Sequence, residues 1–242
     1  FKLLNKLWVF IEKVISSRSS AINTLAYELQ PALIKRLGQI PSLRTVVPTS
    51  VSLDKFKFSG ELPKDKSVML SGTFNNFYDK NLTEFVMGTF TERGYLTKWC
   101  RPKESLENLL NVKDLKVVEA KHEEMPSQIA SSSIGIAICR DDVGISLKGV
   151  MPTKVAEFLA TGRPVILSKG MGDLDDYIIK YQVGILVDKQ TTKQELVTAV
   201  DALLSDPDTP KRCRRLAEEK FSMDRGIETY LATYSAIAPK AS

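Results

Sequence analysis

Histidine and cysteine are scarce in this chain, and long apolar runs are missing. The one histidine is His122, and no serine–histidine–acid order commends itself as a hydrolase triad. The three cysteines, Cys100, Cys139 and Cys213, lie far apart, with no C-x-x-C pair and no zinc-ligand spacing. An odd cysteine count without a signal peptide points to a reducing cytoplasm, and each thiol reads as a small buried hydrophobe. No apolar stretch reaches the roughly 18 residues of a membrane span. The candidate at residues 3–15 is too short and carries Lys6, Glu12 and Lys13. Internal repeats and low-complexity tracts are also missing.

What remains is ordinary globular composition, 43% hydrophobic and 26% charged over 242 residues. That length holds one large domain or two smaller ones and can bury a core without staples. The net charge of +5 is local. Residues 1–50 hold Lys2, Lys6, Lys13, Arg18, Lys35, Arg36 and Arg44 against Glu12 and Glu28, so the remainder sums to zero. A general affinity for nucleic acid is therefore not expected.

Residues 1–16 place Leu3, Leu7, Phe10, Ile11 and Val14 at helical spacing, in an amphipathic, basic helix. Such a helix packs on another part of its domain or lies on a membrane surface, at the inner face if so. Beginning at Phe1 in mid-helix, the chain reads as a fragment. Residues 19–25 form a short strand, 27–37 a helix stopped by Gly38, and 43–47 a second strand ended by Pro48. A polar stretch with Gly60 and Pro63 follows.

From residue 67 the pattern becomes regular. Short, largely apolar strands at 68–70, 95–99, 115–118, 134–138, 164–167 and 183–187 alternate with helices. Those helices are expected at about 80–93, 103–111, 125–131, 153–161 and 174–181. Strands apolar on both sides belong to a parallel sheet covered by helices on both faces, which predicts a Rossmann-like doubly wound α/β fold. Three helices, 192–204, 210–221 and 224–237, end the chain.

In such a sheet ligands bind where strand carboxyl ends lead into helix N-termini, and three loops carry suitable residues. In the first, Gly72 and Thr73 follow a strand, and Gly72 permits close backbone approach, although a plain turn explains it equally. In the second, Pro152 suits the first turn of a helix, so the N–H groups of Thr153 and Lys154 face outward. A helix N-terminus favours phosphate by about 0.3–1 kcal/mol, and Lys154 adds a point charge. Glu157, one turn on, suits a pair of ribose hydroxyls, each such hydrogen bond contributing about 1.5–3 kcal/mol. An exposed helical glutamate is the plain alternative. In the third, Gly170 and Gly172 form a flexible loop before Asp173, read as a helix N-cap, with Asp175 and Asp176 complementing the helix dipole in preference to binding a metal. His122 and Glu123 follow a strand and line the same edge, or cap a turn at the surface.

Residues 152–166, PTKVAEFLATGRPVI, with the G-x-G-D of residues 170–173 and VGILV at 183–187, resemble the C-terminal domain of family-four glycosyltransferases of the GT-B fold. The pattern S-P-T-K-x-x-E-x-L-A-x-G-x-P-V-I is that of bacterial surface-polysaccharide and lipopolysaccharide enzymes. VVPTSVSLDKF at 46–56 resembles their interdomain segment. The resemblance implies the donor-binding part of a transferase that moves a sugar from a nucleotide sugar to a glycan or lipid-linked acceptor, with retention at the anomeric carbon. No cofactor or metal is implied.

It also divides the chain. Residues 1–49 would be the tail of an acceptor-side domain whose remainder, with most of the acceptor site, is missing; 50–66 the linker; 67–222 the nucleotide-sugar-binding domain; and 223–242 a helix crossing back. Among the residues, Glu157 matches the ribose-binding second glutamate of E-x7-E, and Lys154 with Glu157 would form the catalytic pair. Thr153 and Lys154 would offer N–H groups to the diphosphate beside Pro152 and Gly72, while His122 and Glu123 would meet the base. The first glutamate of that motif falls at Gly149, Met151 replaces a serine, and Thr73 stands at the usual arginine, with Lys80 an approximate substitute. These departures keep two other readings open: a non-catalytic nucleotide-sugar-binding or scaffold domain, and a GT-B nucleotide-sugar epimerase.

Overall fold

A computed structural model describes residues 2–102 and 110–238. The helix expected at about 103–111 lies almost entirely outside the described residues. The larger sheet has six parallel strands: β3 (Ser67–Ser71), β4 (Leu96–Arg101), β5 (Lys116–Glu119), β6 (Ile134–Ala137), β7 (Val165–Ser168) and β8 (Gly184–Val187). Their spatial order is β5-β4-β3-β6-β7-β8. The order reverses between β3 and β6, the topological switch point of a doubly wound sheet. Every residue of β3, β6 and β7 is buried, as the unbroken apolar runs predicted.

Helices cover both faces. One layer packs α3 (Lys80–Glu92) and α8 (Lys193–Ser205) over Trp99, Phe90 and Val200. The other packs α4 (Met125–Ala130), α6 (Thr153–Ala160), α7 (Leu174–Tyr181) and α9 (Thr209–Leu216) over Phe158, Leu159 and Leu216. Gly135 on β6 sets the depth of α6: a Cβ there would lie 2.4 Å from the Phe158 ring. Only a bare backbone admits that ring, so glycine fixes the position of the α6 N-terminus.

Ahead of this sheet lie α1 (Lys2–Arg18), β1 (Ala21–Thr24), α2 (Leu29–Leu37) and β2 (Leu43–Val46), with β1 and β2 parallel. The final helix α10 (Met223–Ile237) returns to this layer, where the Thr233 hydroxyl meets that of Thr45 at 3.4 Å. Residues 50–66 are tied to the larger sheet domain at Ser59 and Glu61. Arg163, 2% exposed, donates to the Glu61 carbonyl at 2.7 Å and the Ala130 carbonyl at 2.8 Å, and to the Ser59 hydroxyl. Burial pulls its guanidinium pKa down to about 10.

Two local features depart from the sequence pattern. A short helix, α5 (Ile145–Lys148), precedes the Pro152 helix and begins after Gly144 at φ 64°. Asp173 does not cap α7. Its carboxylate instead accepts from the Tyr27 and Glu28 N–H groups at 2.8 and 2.9 Å, closing the start of α2. The competition was between two helix N-termini, and the one from the other layer won.

Candidate active site

A cleft of about 320 Å³ opens at the carboxyl ends of β3, β4 and β5, beside the switch point. Gly72, His122, Pro152, Thr153, Lys154 and Glu157 all line it. With Cys100 and Pro102, which also line it, four sequence-separated segments converge on one site.

Its floor is Lys154, in the first turn of α6 and 9% exposed. Among the described residues the ammonium makes no hydrogen bond and no ion pair. Its main contact is the Tyr78 ring, whose centroid is 4.3 Å from Nζ. Burial pulls the Lys154 pKa down to about 8 against the opposing pull of Cys139 and Glu157. A buried cation held by one π face lacks the anion that would repay its desolvation.

Gly72 faces this ammonium: Nζ lies 3.9 Å from where a Cβ on Gly72 would stand. At φ 84° this turn favours glycine. The turn is fixed from both sides. The Gly72 N–H donates to the Cys100 carbonyl at 2.7 Å, and the Trp99 indole donates to the Gly72 carbonyl at 2.9 Å. The Phe74 ring stacks on Tyr78 at 5.4 Å and meets Trp99 edge-on at 6.2 Å. The loop is thus a rigid aromatic bracket over Lys154.

Glu157 lies one helical turn beyond Lys154, half-buried, with no hydrogen bond to its carboxylate among the described residues. Burial raises its pKa, while His122 and Lys154 pull the other way. The cleft therefore has a cationic end, with Lys154, Gly72 and the α6 N-terminus, and an acceptor end, with Glu157 and His122. That polarity suits a ligand with an anionic group at one end and hydroxyl donors at the other.

The remaining sequence candidates fall outside the cleft. Thr73 is exposed on the loop past Gly72, and Glu123 is exposed on a short 3-10 turn spanning His122–Glu124. Gly170 packs towards Leu147. Gly172, at φ 53°, has the Lys148 carbonyl oxygen and the Ala26 side chain at 3.0 and 3.1 Å from its notional Cβ. Asp175 accepts from the Gly170 N–H, so Asp173 and Asp175 are both engaged by backbone N–H groups. Among the described residues no group of three or more His, Cys, Asp or Glu could hold a metal ion. Sequence reasoning missed Tyr78, Cys100, Pro102, Ala120 and Met125, which complete the cleft wall. Tyr78 sits in an irregular loop, where no periodicity marks a residue.

A family model described as glycosyl transferases group 1 matches residues 98–220, half of the chain. The chain belongs to this family. No curated protein matches it. Among solved structures, sucrose-phosphate synthase from Thermosynechococcus elongatus is similar at TM-score 0.67 and 16% identity, covering 96% of this chain and 62% of that one. A glycosyltransferase from Rickettsia africae is similar at TM-score 0.67 and 12% identity, covering 95% and 67%. HepE of Anabaena, solved with UDP-glucose, is similar at TM-score 0.73 and 12% identity, covering 95% and 67%. At such identities the likeness establishes the fold, that of the GT-B C-terminal domain. The chain spans about 62–67% of the length of these three. No described helix is long and apolar enough to cross a membrane.

Proposed function

We propose that this chain carries the donor site of a glycosyltransferase that moves a sugar from a nucleoside-diphosphate sugar to a glycan or lipid-linked acceptor. The observation that carries the reading is the pairing in one cleft of two groups without an ion pair or side-chain hydrogen bond among the described residues, the Lys154 ammonium and, one turn on, the Glu157 carboxylate. Lys154 and the N–H groups of Thr153 and Lys154 would neutralise the diphosphate as it leaves, an electrostatic contribution that needs no proton transfer. Glu157 would accept from the ribose hydroxyls, and His122 would border the base. Pro152 and Gly72 let the backbone come close. Retention at the anomeric carbon, independence from a metal and a place in surface-polysaccharide synthesis rest on the family resemblance. So does the division into an acceptor-side remnant at 1–49, a donor domain at 67–222 and a returning helix from 223. The relative solved with UDP-glucose supports the ligand class.

One feature favours the second reading, a binding domain without transferase chemistry. Gly149, at the position of the first glutamate of E-x7-E, packs against Leu29: a Cβ there would lie 2.8 Å from the leucine Cδ2. No carboxylate can reach a donor sugar from that point. Titration calorimetry with UDP, GDP, ADP and their glucose conjugates tests both readings. Glu157→Ala should weaken binding of the preferred nucleotide by about ten- to a hundredfold, the equivalent of about 1.5–3 kcal/mol, without lowering Tm appreciably. Unchanged affinity would remove Glu157 from the site. Tight binding of the sugar conjugate with no transfer to any acceptor would favour the second reading.

A further inference from the structure

The cleft has a larger neighbour. A crevice of about 460 Å³ opens at the same edge of the sheet, between the start of α3, the loop after β6 and Lys189 beyond β8. Tyr78 lines both cavities, so they adjoin at this residue. On the cleft side its ring covers Lys154, the cationic end where a diphosphate would lie. A sugar attached to that diphosphate must lie next to it, and an attacking hydroxyl must approach within about 3–3.5 Å of the anomeric carbon. An acceptor therefore needs a cavity adjoining the Lys154 end, and the crevice, which shares Tyr78 with the cleft, meets that condition.

The lining decides what it can hold. Arg140 forms an ion pair with Asp142 at 2.6 Å, and Lys189 with Asp141 at 2.7 Å. Asp79 caps α3 by accepting from Leu82 N–H, and Lys80 faces Glu84 at 3.8 Å. Among the described residues each of these charges already has a partner within the protein, so a phosphate or carboxylate ligand would have to compete with it. The uncharged groups differ: the side-chain amides of Asn76 and Asn81 make no hydrogen bond among the described residues. Each offers two donors and an acceptor to a polyhydroxylated ligand.

We propose that the crevice beyond Tyr78 is a subsite for an uncharged saccharide, the sugar unit of the acceptor that receives the transferred residue. This rests on the donor reading above for its role in transfer, though not for saccharide binding itself. It would place part of acceptor recognition on the same domain as the donor.

Saturation-transfer NMR on the chain, with the methyl glycosides of glucose, galactose, mannose and N-acetylglucosamine, tests it. At least one should show transfer at millimolar concentration, reduced severalfold in the folded double variant Asn76→Ala/Asn81→Ala and retained in Lys154→Met. Glucuronate should show weaker transfer than the best neutral glycoside. Transfer to none of the four overturns the proposal. So does equal transfer in the double variant, or loss of transfer in Lys154→Met, which would put the sugar in the cleft. Nucleotide titration of the same samples separates the two readings. Nucleotide binding without glycoside binding removes the crevice alone. Glycoside binding without nucleotide binding keeps the saccharide site and removes the donor reading.

Discussion

Lys154 concentrates the chemistry of the site at the scale of one residue. Burial lowers its pKa to about 8, so its charge changes within an accessible pH range. Under the proposed function a diphosphate would bind the ammonium, and its affinity should then fall by up to about tenfold per pH unit above 8, where proton uptake must accompany binding. Below 8 it should be flat as far as Lys154 is concerned. Calorimetry from pH 6.5 to 9.5 reads this directly, and Lys154→Met should lose roughly ten- to a hundredfold at pH 7 and flatten the upper limb. Stability moves the opposite way. Between about 8 and the ordinary 10.5 the unfolded chain holds more protons than the folded one. The contribution of this lysine to stability therefore rises with pH across that window, and the methionine variant should lack that rise in denaturant titrations. The position of Lys154 near a helix start was legible in its own neighbourhood, because Pro152 announces the start. Its partner Tyr78 was not, because the two are separated by 76 residues and meet only through the loop after β3.

At the scale of elements, α6 carries the site and β6 sets where α6 lies. Gly135→Ala inserts a methyl group into the Phe158 ring, which sits 2.4 Å from that point. Either the ring or the helix must move, at a cost of about 1–3 kcal/mol. Thermal unfolding should show a lower Tm, and nucleotide affinity should drop although the substitution lies outside the cleft. Normal affinity with normal Tm would mean that α6 is not positioned by this contact. The alternation of strands and helices was legible because each element writes its own period into the chain. The short helix α5 was not: four residues between two glycines are too few to show a period.

Across the whole molecule, the two layers are joined where the sequence showed only a loop. Asp173, 6% exposed, closes the α2 N-terminus, Gly172 packs on Ala26, and Lys148 pairs with Glu28 at 3.1 Å. The Thr49 hydroxyl also donates to the Met151 carbonyl, directly before the α6 start. Asp173→Ala removes the acceptor of two N–H groups, each charge-assisted bond being worth about 1.5–3 kcal/mol. Hydrogen exchange should quicken through α2, while β6 and β7 stay protected. Uniform loosening would show that the two layers unfold as one.

The sequence by itself determined the fold class, the parallel sheet and most of the cleft, including Gly72, His122, Thr153, Lys154 and Glu157. These are local properties: apolar runs, a proline at a helix start, a glycine after a strand, and one ordered motif. Tertiary structure decided what each group faces. It set Tyr78 over Lys154, turned Asp173 away from its own helix towards α2, filled the space beside Gly149 with Leu29, and left Thr73, Glu123, Gly170 and Gly172 outside the cleft. Those pairings join segments tens to more than a hundred residues apart. A side chain's partner across such distances is fixed by packing of the whole chain, which no short stretch of sequence encodes.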